Sequence, residues 1–258
     1  MTASIPNTLF LRLEGPLQAW GDTSKFVIRR SMEAPTKSGV LGLICCAMGL
    51  SRQEARDKLS KLNNLMMGVR IDRPGMRWWD YHTVGAGIGM TTAAGGLKTG
   101  AQGTLITRRE YLADASFLVA LQGNADLIEK IAEALQSPKW PLYLGRKSCP
   151  PSLPVFTQPR KDKKETWTNP MPVDGNVKTA LQAVPWFPRY KNDPFPGPVE
   201  CFIEWRAARK GDLAPVDAEV WYDAPFSFDP LVHHPRIVMR DRVTVKVGSE
   251  IQQHTPSP

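Results

Sequence analysis

Aromatic and basic side chains flank a glycine-rich stretch in the middle of the sequence, and together they could bind single-stranded RNA. The residues that form this pattern are Trp78, Trp79, Tyr81 and His82 before the stretch and Arg108, Arg109 and Tyr111 after it. Bases of single-stranded RNA stack on aromatic rings, while basic side chains neutralise its phosphates. A strand pair with buried rings and solvated arginines has the same composition, so both interpretations remain open on these residues alone.

A second basic feature is the turn-like sequence YLGRKSCP at residues 143–150. Tyr143 precedes a glycine, and the basic pair Arg146 and Lys147 follows it. A turn of this kind can direct a basic pair and backbone N–H groups at a phosphate. A simple exposed turn is the alternative interpretation. The charged run RKDKK at 160–164 is typical of a solvated surface.

The glycine-rich stretch itself, residues 85–104, has seven glycines in 20 positions. It does not match a nucleotide-binding loop, because GAGIGM lacks the third glycine of G-x-G-x-x-G and Leu97 stands where a Walker loop needs glycine. Segments with strand character flank it, so the sequence predicts a long hairpin or protruding loop. Its glycines would let the backbone approach a ligand or a neighbouring subunit closely. A plain flexible loop is the alternative.

Candidates for catalysis and for metal binding are sparse. The four histidines are His82, His233, His234 and His254, and neither H-E-x-x-H nor G-x-S-x-G occurs. The four cysteines have no C-x-x-C spacing, so no metal or other cofactor is expected. His82 with Tyr81 and a lysine could cleave RNA without a metal by activating a 2′-OH, but a hydrogen-bonded structural histidine is the favoured interpretation.

The overall composition favours a folded protein with a polyanionic partner. Among 258 residues, 42% are hydrophobic, and Lys and Arg exceed Asp and Glu by 33 to 25, giving a net charge of +8. The N-terminus lacks a basic region followed by a long apolar one, and no stretch approaches the length of a membrane span. Since there is also no disulfide pattern, the cytoplasm is the predicted compartment.

The elements that must position these residues are predicted from hydrophobic periodicity and capping signals. Strands are predicted at 8–15, 65–72, 104–112 and 115–122, and helices at 36–50, 51–64 and 124–136. Their order, with later extended runs at 199–205 and 236–247, predicts an α+β fold with a ferredoxin-like, RRM-like core and an irregular C-terminal extension.

The predicted domain plan divides the chain into three parts. A core over residues 1–156 carries the hairpin 85–104 as an insertion. Residues 157–198, rich in proline and lysine, are predicted to form a surface excursion with at most a short helix near 177–183. Residues 199–258 are predicted to supply strands that complete or decorate the core.

Five segments of the N-terminal part form a characteristic series. They are LRLEGPLQAWG (11–21), APTKSGVLGLICCAMGL (34–50), DYHTV (80–84), REYLADASFLVAL (109–121) and YLGRKSCPPSLPVF (143–156). In their order and spacing these segments resemble the CasD family of type I-E CRISPR Cascade complexes. The resemblance covers most of residues 9–156 and weakens beyond them. Residues 157–220 depart from the family pattern, so their role stays open.

The resemblance implies a non-catalytic, RNA-binding subunit of the repeat-associated superfamily, with a ferredoxin-like core. Such a subunit caps one end of the complex, binds the 5′ handle of CRISPR RNA and contacts the large subunit and the nearest backbone subunit. It meets target DNA only indirectly, through the complex. The segment 85–104 would be its thumb, a β-hairpin. The implied handle contacts are Gln18, Trp20, Lys37, Ser38, His82, Arg108, Arg109, Tyr143, Arg146 and Lys147.

Two other functions are weighed against this one. In the related type I-C complexes the equivalent subunit itself processes the precursor RNA, so a metal-independent endoribonuclease using Tyr81, His82 and Lys98 is the alternative. The motifs fit type I-E better, where a separate subunit cuts the RNA. A scaffold without RNA contact is a third class, which the basic balance and the flanking rings disfavour.

Overall fold

The computed structural model describes residues 6–21, 27–84, 96, 105–158, 167–189, 193–209, 211–228 and 231–248. The strands are β1 (Thr8–Glu14), β2 (Leu17–Gln18), β3 (Ile28–Arg29), β4 (Met66–Arg73), β5 (Met76–Val84), β6 (Leu105–Ala113), β7 (Ser116–Gln122), β8 (Val199–Trp205), β9 (Glu219–Phe228) and β10 (Leu231–Val243). The helices are α1 (Lys37–Ala47), α2 (Arg52–Asn63), α3 (Ala125–Gln136) and α4 (Val177–Ala183). The fold is therefore α+β. Across these ranges, no helix is long and apolar enough to cross a membrane.

The larger of two sheets has the strand order β1-β7-β4-β8-β10-β9. Strands β1, β7 and β4 are antiparallel neighbours, and β1 is buried at every residue. Successive residues of a strand point to opposite faces. Leu9 and Leu11 accordingly lie in one core cluster, while Phe10 lies in the other. Because β1 and β7 are covered on both faces, their sequences are largely apolar.

Helices α1, α2 and α3 form the layer that covers the first face of the sheet. The side chain of Thr36 caps the N-terminus of α1, and that of Asn124 caps α3. Ser51 and Glu54 form a reciprocal capping box at the start of α2. Helix α3 contacts β1, and both α1 and α2 contact β9. The polar residues that predicted these three helix starts are the residues that cap them.

The second face of the sheet is covered by residues 167–187, including α4. Trp167, Val177, Leu181 and Trp186 are each at most 3% exposed and belong to the core cluster of this face. The short helix expected near 177–183 is present and contacts β4, β7 and β10. The prediction of a surface excursion is wrong for the described part of 157–198. The many prolines of this stretch suggested a loop, but its apolar residues pack on the second face of the sheet.

Arg70 attaches α4 to the sheet from inside the second core. Its side chain is fully buried and donates to the carbonyl oxygens of Leu181, Val184 and Pro185 at 2.7, 2.5 and 3.2 Å. It also forms an ion pair with Asp72 at 2.6 Å. A cation at the C-terminal end of a helix satisfies carbonyl groups that have no partner within the helix. The buried charge is therefore fully used in holding two elements together.

The outer edge of β1 is covered by irregular chain. Thr8 and Met171 exchange backbone hydrogen bonds of 2.9 and 3.0 Å. The side-chain amide of Asn169 accepts from the backbone N–H of Phe10 at 3.0 Å and donates to its carbonyl at 2.8 Å. These loops replace a further strand, so the backbone groups of this edge have partners within the protein.

The C-terminal strands extend the same sheet on its other side. Strand β8 pairs with β4, β10 pairs with β8, and β9 pairs with β10, all antiparallel. These strands therefore complete the sheet instead of forming an irregular extension. Strand β9 was not predicted from the sequence, because Pro225 interrupts its pattern and proline is unusual in strand interiors.

The smaller sheet is built around β6. Strand β5 pairs with β6 along its whole length, and the two-residue strands β2 and β3 pair with the other side of β6. We call β5 and β6 the ribbon. Every residue of β5 is exposed or half-buried. The predicted thumb 85–104 joins the ends of the ribbon and, apart from Gly96, lies outside the described residues, so it stays a prediction.

Candidate nucleic-acid interface

One side of the ribbon, which we call the Arg109 face, combines rings with basic groups. Directly opposed residues of an antiparallel pair lie on the same side. The opposed pairs of this face are Trp78 with Tyr111, Asp80 with Arg109, and His82 with Thr107. Trp78 is 49% exposed, and its ring centroid lies 6.1 Å from that of Tyr111. An exposed indole backed by a second ring is a suitable stacking surface for a base.

The opposite side, the Arg108 face, has a similar composition. Its opposed pairs are Trp79 with Glu110 and Tyr81 with Arg108, and Ile28 of β3 lies opposite Arg108 on the other strand edge. Trp79 and Tyr81 are 46% and 60% exposed, and Arg108 is exposed as well. Both sides of the ribbon therefore present rings and guanidinium groups to the surroundings.

Glu110 organises the base of the Arg108 face. Its carboxylate is buried and accepts from Arg77 at 2.5 Å and from the backbone N–H of Ser31 at 3.1 Å. Arg77 also donates to the carbonyl of Ser31 at 3.3 Å. The three residues connect β5, β6 and the segment after β3, so the ribbon has a fixed root although most of its surface is exposed.

Arg146 docks the turn 143–150 onto the ribbon. Its guanidinium donates to the carbonyl of Glu110 at 3.0 Å and to that of Arg29 at 3.3 Å. It also lies 4.6 Å from the centroid of the Tyr111 ring, which is a cation–π geometry. Arg146 is thus engaged in positioning the turn, whereas its neighbour Lys147 is exposed and Tyr143 is half-buried. Of the predicted basic pair, Lys147 is the residue whose charge faces solvent.

The turn can approach this closely because of Gly145. Its φ is +91°, and a Cβ at this position would lie 1.8 Å from the carbonyl oxygen of Ala19. Leu144 accepts a hydrogen bond of 3.0 Å from the backbone N–H of Ala19. Only glycine allows both the left-handed backbone and the contact with the chain around β2.

Gln18 and Trp20 are placed in the core and not on a surface. Both are 0% exposed, and the indole N–H of Trp20 donates to the Gln18 side-chain oxygen at 3.1 Å. The Gln18 amide donates to the carbonyls of Leu13 and Ala115 at 3.0 and 2.9 Å. Their polar atoms are used within the protein, so the prediction of direct RNA contacts does not agree with this burial. The two residues instead position the chain between β1 and β6.

Lys37 is likewise buried, at 1% exposure. Its ammonium donates to the carboxylate of Glu204 at 2.8 Å and to the carbonyls of Asn63 and Leu65 at 2.9 and 2.8 Å. Burial lowers the pKa of this group to about 8, although the Glu204 carboxylate favours the charged form. A phosphate contact by Lys37 does not agree with this geometry. Ser38, next to it, is half-buried at the start of α1.

His82 lies on the ribbon with its side chain 41% exposed, and its Nδ1 is 3.6 Å from a carboxylate oxygen of Asp80. Tyr81 points to the opposite face, because adjacent strand residues alternate. Lys98 lies outside the described residues. Among the residues that the structure describes, no group of three or more His, Cys, Asp or Glu could hold a metal ion.

The structure therefore brings only some of the predicted residues together. His82, Arg109 and Arg146 share the Arg109 face or its margin, and Arg108 lies on the other face. Strand β3 was not predicted from the sequence. Its Ile28 and the preceding Val27 are each 44% exposed beside β6. The signal that could have found it is the short run VIRR at 27–30, where apolar and basic residues meet.

Comparisons with known proteins agree with one another. A family model described as CRISPR-associated protein (Cas_Cas5) matches residues 8–199. The CRISPR system Cascade subunit CasD of Escherichia coli (strain K12) is 35% identical over 184 residues, which are 66% of this chain and 79% of that protein.

Solved structures give the same result over a longer span. A chain of a CRISPR RNA-guided surveillance complex superposes with a TM-score of 0.70 and 30% identity, over 94% of both chains. A crystal structure of a Cas protein superposes with a TM-score of 0.62 and 31% identity, over 93% of this chain and 98% of the other. The similarity thus includes the C-terminal strands, beyond the residues that the family model matches.

Proposed function

The chain belongs to the Cas5 family of CRISPR-associated proteins, and on this premise we propose that it is a non-catalytic subunit of a type I-E Cascade surveillance complex. In this proposal it binds and caps the 5′ handle of CRISPR RNA in the cytoplasm. It contacts the large subunit and the nearest backbone subunit, and it meets target DNA only through the complex.

The observation that supports RNA binding most directly is the exposure of rings and guanidinium groups on the ribbon. Trp78, Trp79 and Tyr81 are each about half exposed or more, at 49%, 46% and 60%. Large rings are seldom left in solvent side by side unless they meet a partner. Arg108 and Arg109 lie among them, so stacking and phosphate neutralisation are available on the same two strands.

The topology supports a ferredoxin-like core, as the family resemblance implies. Strand β1 is followed by α1 and α2 and then by β4, and β7 lies between β1 and β4 and is antiparallel to both. Helix α3 follows β7 and contacts β1. This is a split βαβ arrangement, with the ribbon and the thumb inserted between β4 and β7.

The placement of the candidate acid and base supports a non-catalytic role. A metal-independent cleavage site needs its general base within hydrogen-bond reach of the 2′-OH and its general acid within reach of the leaving 5′-oxygen of the same bound phosphate. Tyr81 and His82 are successive residues of β5, so their side chains leave the ribbon on opposite faces. Within the described residues, a carboxylate oxygen of Asp80 lies 3.6 Å from Nδ1 of His82.

The test is the affinity for fluorescent single-stranded handle RNA, measured with the chain in the assembled complex over a series of salt concentrations. Replacing Trp78 or Trp79 by alanine should cost about 1–3 kcal/mol of binding free energy with little change in salt dependence, because one stacking ring is lost. Arg108→Ala should reduce the magnitude of the log–log salt slope by about 0.7, because one phosphate contact is lost.

Matched controls lie elsewhere on the surface. Trp140 is 46% exposed and is not part of the ribbon, and Arg52 is exposed on α2. Trp140→Ala and Arg52→Ala should leave affinity and slope unchanged. Equal losses in ribbon and control variants would contradict the proposal. Cleavage of labelled precursor RNA by the chain in the presence of chelator, abolished in His82→Ala, would establish the endoribonuclease instead.

A further inference from the structure

A groove lies outside the ribbon, where β8 ends and β9 and β10 continue. The last pair between β8 and β10 is Trp205 with Ile237, but β10 extends back to Leu231 and stays paired with β9. Beyond Trp205, none of the described strands therefore pairs with the edge of β10 that faces β8. We call this open position beside β10 the vacant row. The C-terminal end of α2 closes the groove at Asn63.

The charged wall of this groove carries one positive charge in excess. Three cations, Lys37, Arg206 and Arg236, share two carboxylates, Glu204 and Asp223. Lys37 and Arg206 both bond to Glu204, at 2.8 and 2.6 Å, and Arg236 bonds to Asp223 at 2.5 Å. Lys37 and Arg236 are nearly inaccessible, whereas the Arg206 side chain is 40% exposed. The Arg206 guanidinium also donates to three backbone carbonyls at and just after the end of α2, so one of its N–H groups is left to present the uncompensated charge to the groove.

The other wall is apolar and open. Val220 and Tyr222 of β9 are 57% and 68% exposed, and Ile237 of β10 lies directly opposite Val220. Alternate residues of β9 between them, such as Trp221, are buried against the core. The exposed side chains thus form one face of a strand pair, next to a row of the sheet that no described strand fills.

Asn63 adds a third feature. Its side-chain nitrogen donates to the carbonyl of Pro225, which fixes the orientation of the amide, and its Oδ1 has no donor among the residues described. A buried acceptor without a donor is costly, so the wall at the end of α2 is incompletely satisfied in the free chain.

We propose that this groove binds an extended segment of a partner protein that carries a carboxylate next to an apolar or aromatic side chain. The backbone of the segment lies in the vacant row beside β10, as in peptide recognition by strand addition. Its carboxylate pairs with Arg206, and its apolar side chain packs on Val220 and Tyr222. A chain of nucleotides fits less well, because a single accessible cation cannot neutralise a row of phosphates. The inference does not depend on RNA binding by the ribbon.

The test uses the full chain and two peptides labelled at the N-terminus, fluoresceinyl-Val-Phe-Glu-Val-amide and the same peptide with glutamine for glutamate, in anisotropy titrations. We expect the glutamate peptide to bind about tenfold more tightly, because a charge-assisted hydrogen bond replaces a neutral one. Arg206→Gln should remove this preference and Arg206→Lys should keep part of it. Arg209→Gln, which removes the same charge from an exposed site outside the groove, should leave it unchanged.

Tyr222→Ser keeps the proposal testable if Arg206→Gln unfolds, since Tyr222 is largely exposed and its loss should not affect folding. This variant should weaken both peptides about equally while the preference for glutamate remains. Equal binding of the two peptides by the wild type would overturn the proposal, as would a preference that persists in folded Arg206→Gln. Binding of labelled oligouridylate in place of the peptides, lost in Tyr222→Ser, would show a nucleic-acid site and overturn it as well.

Discussion

The larger sheet and the ribbon use the same secondary structure in opposite ways. In the centre of the larger sheet, β1 and β7 are covered on both faces, and the polar residues among them have partners inside the protein. In the ribbon, β5 is exposed or half-buried along its whole length, and its large rings face solvent. Burial on two faces explains why the sheet forms. Exposure on two faces has no benefit for folding, so it indicates a surface kept for a partner.

The contrast also separates two kinds of arginine. Arg70 in the sheet is fully buried and bonded to three carbonyls and a carboxylate. Arg108 in the ribbon is exposed on the face with Trp79 and Tyr81. Loss of Arg70 should therefore lower the stability of the fold and have little direct effect on RNA binding. Loss of Arg108 should weaken RNA binding and have little effect on stability.

The largest effect expected from this contrast is that of Arg70→Ala. It leaves Asp72 and the C-terminal carbonyls of α4 buried without their cation, so we expect a loss of about 3–5 kcal/mol in the free energy of unfolding. Urea denaturation measures the loss. Arg108→Ala is the matched control and should stay within about 0.5 kcal/mol of the wild type. Similar losses in both variants would remove the distinction between the two regions.

A second, smaller effect is the pH dependence of stability contributed by Lys37. Burial lowers its pKa to about 8 from the ordinary value of 10.5, so between these values the unfolded chain binds more protons than the folded one. The stability contribution of Lys37 therefore rises as pH increases from 8 to 10.5, by up to about 3 kcal/mol, and is lost as pH falls through 8.

The measurement is the difference in unfolding free energy between wild type and Lys37→Met at pH 8 and at pH 10.5. Methionine does not titrate, and the buried thiols, such as Cys201 with its pKa raised to about 12 by burial, contribute equally to both proteins. A difference that stays constant over this range would show that Lys37 is not desolvated.

At the junction of the two regions, Gly145→Ala should cost at least about 2 kcal/mol, since alanine adds a clash with Ala19 to the cost of a left-handed backbone. Gly197 has a φ of +75° and open space around it, so Gly197→Ala should cost only about 1 kcal/mol. Thermal unfolding of both variants gives the comparison. Equal costs would mean that the turn is not held against the chain around β2.

The smallest effects distinguish Arg146 from Lys147. Arg146→Ala should lower stability by about 1 kcal/mol, because a cation–π contact and two hydrogen bonds are lost. Lys147→Ala should leave stability unchanged and reduce the magnitude of the salt slope for handle RNA by about 0.7, the contribution of one phosphate contact. If neither variant changed RNA binding, the turn would be structural only.

The sequence was sufficient to predict the elements that have strong local signals. Ser51 and Glu54 predicted the start of α2 because a capping box depends only on residues three apart. The apolar run of β7 predicted a central strand because strands buried on both faces are continuously apolar. Strand β3 was not predicted, because it has only two residues and forms only by pairing with β6, about 80 residues further along the chain.

The candidate site was predicted by composition but not by side-chain direction. Trp78 and Arg109 were recognised as a flank pattern, and the register of β5 with β6 places them on one face. Trp20 and Lys37 carry residue types that suit RNA binding, yet tertiary packing buries both. Burial of a polar residue depends on partners such as Glu204, which lies 167 residues further along the chain. No local pattern contains that information.

The loops that cover β1 also protect free copies of this protein from aggregating through that strand. An open strand edge is a template on which other chains can aggregate, and soluble proteins protect such edges. Here Asn169 and Met171 occupy the hydrogen-bonding groups of β1, so one side of the larger sheet cannot be lengthened by a foreign strand. Among the described strands, the edges open to a foreign strand are β9 and the short part of β10 beyond β8, so copies cannot stack through β1 into an open-ended fibre.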